Sequence, residues 1–295
     1  MATTPSRVAD WVTLAKIRVN ALVVATTAGG YYMAATTSMT GHTDVDWLRL
    51  IITCAGTALV AGGAAAFNQV SERDTDALMD RTKQRPVAAL RMSPVEGRVV
   101  AAVLSVSGLA ILGAVVSLLA MWVALATLVS YALVYTPMKR RTSFSTVIGA
   151  VPGALPPMIG WAASRGSIDE VAGWSLFFIM FVWQLPHFLA IAWIYREDYG
   201  RAGLPMLPVI DLSGAMTGRQ SALWAATLLP VSVLPTVVNL ATQVYGVGVL
   251  ILGLAQFVLT VRFALNRTKA NARVVFYASI IYLPLLWALM AYAKM

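Results

Sequence analysis

The chain has one cysteine, Cys54, among its 295 residues. One thiol excludes a disulfide framework, a cysteine-built zinc site and a covalent haem-attachment motif. Inside an apolar run, it reads as a small core residue. Charge is also scarce: 12% of residues are Asp, Glu, Lys or Arg, against about 25% in an ordinary soluble domain. The N-terminus, MATTPSRVADW, is polar and lacks the short apolar core and cleavage site of a secretory leader. The first hydrophobic run is therefore expected to be retained as a helix. What is abundant is apolar sequence, 59% of residues with a mean hydropathy of +0.73. It comes in blocks near the roughly 20 residues that cross a bilayer as a helix. Composition describes an all-α polytopic membrane protein.

Nine spans are expected, at 19–37, 47–70, 98–116, 118–136, 144–163, 171–195, 220–239, 243–261 and 274–293. The division between the third and fourth is the hardest to draw. The net charge of +9 in a soluble protein would point to nucleic acid; here the cations sit in short loops. Nineteen of the twenty-two Lys and Arg fall before span one or after spans two, four, six and eight. Only Arg49, Arg165 and Lys294 fall on the other side. The asymmetry places the N-terminus and those loops in the cytoplasm, with no nucleic-acid partner. Spans two and six point the same way, and each is followed by a loop rich in carboxylates. That organisation suggests one domain, 1–295, of two four-helix halves (19–136 and 144–261) plus a ninth helix, with the functional site between the halves.

The segment FNQVSERDTDALMDRTKQRP, 67–86, ends span two with four carboxylates and four cations. Asn68, Glu72, Asp76 and Asp80 recur every four residues. They share one face if the helix continues, and stacked like charges destabilise a helix unless a cation sits between them. One amide and several carboxylates suit Mg²⁺, which keeps waters and takes substrate phosphates as further ligands. Asn68 lies on the membrane side, where a polar group is costly and functional by default. Arg81, Lys83 and Arg85 follow directly, and metal-binding oxygens beside cations make a diphosphate site. The bland alternative is a solvated acidic face balanced by arginines.

Span four ends in YTPMKRRT, where Tyr135 and Lys139 face one way if the turn is helical across Pro137; otherwise the segment is an ordinary positive-inside anchor. Span six contains WQLPHFLAIAWIYREDYG. Of the two histidines, His42 is in an external loop and His187 lies inside the membrane, as an iron ligand, a proton carrier, a contact to a substrate carboxylate or a packing residue. Glu197 and Asp198 form a second candidate metal patch. Trp161, Trp174, Trp183, Trp193 and Trp224 read mainly as interfacial or lipid-facing anchors. VPGALPP suggests kinked helices lining a cavity.

NQVSERDTD resembles the first Asp-rich motif of the UbiA superfamily of intramembrane prenyltransferases, in which Asn is followed by acids four and eight positions later. YTPMK matches its Tyr-x-x-x-Lys motif, and the likeness runs over essentially the whole chain. WQLPHF, YREDYGRAGLPMLPV and YTPMKRRT further resemble the haem-farnesylating branch. Glu72 stands where Asp is usual, and Tyr195, Glu197 and Asp198 replace a DxxxD-type cluster. The resemblance implies transfer of the farnesyl group of farnesyl diphosphate to a vinyl group of haem b, with water added, giving haem O. Asn68, Glu72 and Asp76 would hold Mg²⁺, with Glu197 and Asp198 as the second patch. Arg73, Lys83, Arg85, Tyr135 and Lys139 would meet the diphosphate, Lys139 acting with the metal ligands in catalysis, and His187 would contact haem. It implies a multi-pass protein of the cytoplasmic membrane, with possible hand-over of product to a haem A-forming enzyme or an oxidase assembly. Another aromatic or tetrapyrrole acceptor, such as a quinone precursor or chlorophyllide, and a transporter, are the competing readings. A transporter places its ionisable groups near the bilayer midplane; here they crowd one end.

Overall fold

A computed structural model describes residues 6–36 and 44–295; His42 lies outside the described residues. Among these every regular element is a helix, apart from an isolated bridge between Ala241 and Lys294. A short helix, α1 (Arg7–Leu14), precedes α2 (Ile17–Ala34) and α3 (Trp47–Ser71). The rest of the bundle is α4 (Pro94–Val116), α5 (Leu118–Met138), α6 (Ser145–Arg165), α7 (Val171–Ile194), α8 (Ala215–Val237), α9 (Gln243–Leu265) and α10 (Lys269–Tyr292).

Eight of these, α3 to α10, are long and apolar enough to cross a bilayer. The helix at the first expected span is α2, whose eighteen residues include Arg18, Asn20, two threonines and two tyrosines. The hard division lies at Ser117, an extended residue that ends a π-turn over Leu112–Val116 and caps α5 by accepting from Ala120 N. Spans α8 and α10 begin about a turn earlier than hydropathy predicts. Their first turns are polar but held: Asp211 accepts from the Thr217 N–H, and Thr268 caps Asn271. Apolar windows miss capped polar turns.

α6 breaks at Leu155, between Ser145–Ala154 and Pro156–Arg165, because proline removes a helix donor and clashes with the preceding turn. Gln184 of α7 donates to Ala150 O at 3.2 Å beside the break. Below it, α2 and α6 meet backbone to backbone. A Cβ on Gly30 would lie 2.1 Å from Pro157 O, and one on Gly160 2.0 Å from Thr27 O. Small residues let membrane helices approach this closely.

The tryptophan expectation needs correction. Trp161, Trp183 and Trp193 are 1%, 4% and 4% exposed. Trp183 donates to Ser279 O and Trp193 packs edge-on against Phe263. They join helices to one another, which composition cannot distinguish from anchoring in lipid. Loops that follow α3, α5, α7 and α9 meet one another and α1 at one end of the bundle, through Arg91–Asp10, Lys139–Glu72, Arg201–Asp80 and Lys269–Glu197. Arg49, Arg165 and Lys294 make their contacts at the other end.

Candidate active site

The four-residue spacing at the end of α3 survives beyond the helix proper. Glu72 N bonds to Asn68 O at 2.9 Å and Asp76 N to Glu72 O at 2.7 Å, so Asn68, Glu72 and Asp76 stay on one face. All three are buried, at 3%, 3% and 0% exposure. The chain then turns, Met79 N bonding to Asp76 O, and Asp80 emerges to the surface.

Three cations converge on this face. Lys139 Nζ donates to both Glu72 oxygens, at 3.1 and 3.0 Å. Arg85 donates to Asp76 Oδ2 at 2.7 Å, and Lys16 to Asn68 Oδ1 at 3.2 Å. Lys16 is the functional candidate that spacing misses. It sits between α1 and α2 with φ +48°, a left-handed conformation uncommon for a side chain with a Cβ. α1 is held in place by buried Asp10 under Arg91, and by Gln69 donating to Thr13 O and Leu14 O. From sequence alone Lys16 counts only among the orientation charges.

The electrostatics follow from burial. Desolvation and the neighbouring Arg85 push the Lys16 ammonium down to about 7. Burial works to raise Glu72, but Lys139 beside it brings the carboxyl below its ordinary value; burial would lower Lys139, and Glu72 holds it above. For Asp76 burial prevails over Arg85, and the carboxyl is raised. With Lys16 protonated, the face carries one positive charge in excess of its two carboxylates.

Does this set suit a metal? Among the described residues no three His, Cys, Asp or Glu side chains are placed to hold one together. The oxygens of Asn68, Glu72 and Asp76 are nevertheless the donors a hard cation prefers, and Asp76 Oδ1 is buried without a hydrogen-bond partner. The set fits Mg²⁺. The excess positive charge means a dication is favoured only together with an anion such as diphosphate.

Tyr135 and Lys139 do face one way. Lys139 N bonds to Tyr135 O at 3.0 Å across Pro137, which sits where a helix tolerates proline, just after a π-turn over Ser130–Tyr135. Both line a cavity of about 60 Å³ with Thr146, Phe188, Ile191, Tyr199 and Met206. Sites that enclose drug-sized ligands run to roughly 300–1,000 Å³, so a ligand of that size enters only as these side chains part. Gly149 admits the Tyr135 ring, since a Cβ there would lie 2.6 Å from it.

The remaining sequence candidates are not brought onto this face. Arg73 pairs with Asp74 and Lys83 with Asp80, all near the surface. Glu197 is exposed and pairs with Lys269. Asp198 is bound by Arg201, which also meets Asp80 at 2.5 Å, and it accepts from Arg81 N. Arg81 lies over the Tyr195 ring and donates to Tyr199 OH at 2.9 Å. These contacts join the two acidic loops as a rim above the cavity. His187 stands deeper on α7, stacked on Trp183 and bonded to Ser279 Oγ.

A profile of the UbiA prenyltransferase family matches residues 22–289. Curated relatives include the protoheme IX farnesyltransferase of Solibacter usitatus, 44% identical over 95% of this chain and 97% of its own. That of Koribacter versatilis is 41% identical, covering 95% and 92%. Among solved structures, one from work on digeranylgeranylglyceryl phosphate synthase aligns with a TM-score of 0.78 at 13% identity, over 96% and 97% of the two chains. A UbiA homolog from Archaeoglobus fulgidus bound to GPP and Mg²⁺ aligns at 0.66 and 15%, over 95% and 99%. The structural likenesses speak to the fold, and the match to family and relatives spans nearly the whole chain: it belongs to the UbiA prenyltransferase family.

Proposed function

We propose that the chain farnesylates haem b (protohaem IX) from farnesyl diphosphate, and that Asn68, Glu72, Asp76, Lys16, Arg85 and Lys139 form the diphosphate end of its site. The carrying observation is the convergence of these three oxygen donors and three cations at the mouth of an apolar cavity. The names of the 44% and 41% identical relatives support haem and the farnesyl group as the substrates.

The reaction breaks the C1–O bond of farnesyl diphosphate, and the electron pair leaves with the diphosphate. The haem vinyl π-electrons then form the new C–C bond to the allylic cation. Water adds to the resulting carbocation and loses a proton, leaving a hydroxyethylfarnesyl group. Mg²⁺ held by Asn68, Glu72 and Asp76 would neutralise charge on the leaving group. Lys139, Lys16 and Arg85 are aimed where that charge develops, the setting in which fixed cations act most strongly. Binding an anionic substrate draws these cations partly away from Glu72, Asn68 and Asp76 and frees those oxygens for the metal. Tyr135, Phe188 and Ile191 line an apolar wall that shields the cation from water. Arg81, Arg201 and Asp198 close the rim, while Arg73, Lys83 and Glu197 stand outside it and tune the field. No protein nucleophile is required. The charged end of the bundle faces the cytoplasm on this reading, and α2 completes nine spans.

Mass spectrometry of haem from cells expressing wild type and Asp76→Asn tests this. Farnesylated haem that disappears in the variant is expected, together with Mg²⁺-dependent diphosphate release by the purified wild type. Wild type that releases no diphosphate with both substrates and Mg²⁺ present overturns it; release that depends on a quinone precursor instead of haem reassigns the acceptor.

A further inference from the structure

We propose that Ser279 is a positioning residue that fixes His187 as the Nδ1–H tautomer and leaves its Nε2 lone pair to ligate the haem iron. This rests on haem being the acceptor, as proposed above. Ser279 Oγ lies 2.6 Å from Phe276 O and 2.7 Å from His187 Nδ1. A carbonyl oxygen only accepts, and a serine hydroxyl has one proton to give. That proton goes to Phe276 O. The contact to His187 then needs a proton from Nδ1, and a neutral imidazole carries only one. Nε2 is therefore the bare nitrogen, and among the described residues no hydrogen bond engages it.

The ring is held as firmly as its proton. Trp183 stacks on it at 5.2 Å between centroids, Phe276 lies at 5.0 Å on α10, and Phe188 meets it edge-on at 5.7 Å. Trp183 Nε1 donates to Ser279 O at 3.0 Å, so the residue that orients the imidazole is itself tied to the residue that stacks on it. Ser279 is fully buried while His187 is partly exposed, and Phe188 lines the cavity shared with Tyr135 and Lys139. The imidazole is one residue from that lining, on the helix that carries it.

This arrangement separates the roles open to His187. A haem propionate would need an N–H from Nε2, which this tautomer does not offer. A proton carrier needs a partner that exchanges protons, and the neighbours on α7 and α10 are three aromatic rings and a hydroxyl already donating to a carbonyl. A neutral imidazole with one nitrogen bonded to a fixed acceptor and the other bare is the usual form of a histidine metal ligand. Ligation needs no proton or electron transfer: the Nε2 pair enters an open iron position.

The test uses full-length protein in detergent with haem b, read by absorption and resonance Raman spectroscopy. Wild type should show a histidine-ligated iron, and His187→Ala should lose that signature and regain it with added imidazole. Ser279→Ala should weaken haem binding by roughly 10–100-fold, the usual effect of removing a ligand's outer partner, while Ser279→Thr, which keeps the hydroxyl, retains it. Mg²⁺-dependent binding of farnesyl diphosphate checks that each variant is folded. A wild-type spectrum in His187→Ala with farnesylation intact refutes the ligation and leaves the acceptor standing. Unchanged spectrum and affinity in Ser279→Ala refute the role of Ser279. Wild type that binds no haem overturns the acceptor assignment and this inference with it.

Discussion

Replacing Lys139 by methionine separates the two tasks that the proposed site gives one ammonium. Its Nζ serves both oxygens of Glu72, with side chains only 11% and 3% exposed. Removing one partner of a buried pair strands the other charge, at a cost of about 3–5 kcal/mol. Lys16 and Arg85 also hold Glu72 down and stay beside it when Lys139 is lost, so the loss falls at the lower end, about 3 kcal/mol, without vanishing, because both are engaged with Asn68 and Asp76. The shift is about 2–4 °C per kcal/mol for 150–250 residues and smaller for a longer chain, so melting in detergent should drop by roughly 5 °C. The double variant Glu72→Gln/Lys139→Met removes both charges and should recover most of this, since uncharged replacements of buried pairs are commonly neutral or stabilising. Turnover should behave differently. Loss of a cation aimed at the leaving diphosphate costs about 10²–10³ in kcat, and the double variant does not restore it. Thermal unfolding reads the first effect and diphosphate release the second. A double variant no more stable than Lys139→Met, or one that regains turnover, refutes the reasoning. In wild type the pair's contribution spans the neutral range, because Glu72 is held below its ordinary value and Lys139 above. It is lost as pH falls through the lowered Glu72 value or rises through the raised Lys139 value.

Lys16→Ala should lower kcat/KM for farnesyl diphosphate at least tenfold, on the scale of a charge-assisted hydrogen bond. With Lys16 held near 7, wild-type kcat/KM should also fall as pH rises through that value, and Lys16→Arg should move the fall to higher pH; a flat profile in wild type counts against the charge on Lys16. Asp10→Asn, which breaks the buried pair with Arg91 that seats α1, should reproduce the Lys16→Ala kinetic defect without touching the site, measured by the same assay. Gly149→Leu should force the Tyr135 ring aside and cost about 1–3 kcal/mol of stability, seen as a lower melting temperature.

What could be read in the sequence was local. Asn68, Glu72 and Asp76 were legible because a period of four is the helix's own, and hydrogen bonds carry it one turn past Ser71. Tyr135 and Lys139 were legible for the same reason, Pro137 notwithstanding. Lys16 was not, because its partner is 52 positions away and no spacing connects them. The rim contacts between Arg81 and Tyr199 and between Asp80 and Arg201 span 118 and 121 positions. They arise from helix packing, which brings the loops together only after the bundle forms. Trp183 shows the same limit, since its donation to Ser279 O crosses 96 residues.

The three internal cations have a consequence for assembly. A polytopic chain must enter the bilayer and pack before it meets substrate. Two bare carboxylates at a helix end inside the bundle would resist that packing. Because Lys139 arrives from another loop and Arg85 folds back from further along the same one as counter-ions, the bundle can close before any metal is bound, unlike small domains whose folding is metal binding. Chelators should therefore silence the protein without unfolding it, and newly made chains can mature in a cell poor in free magnesium.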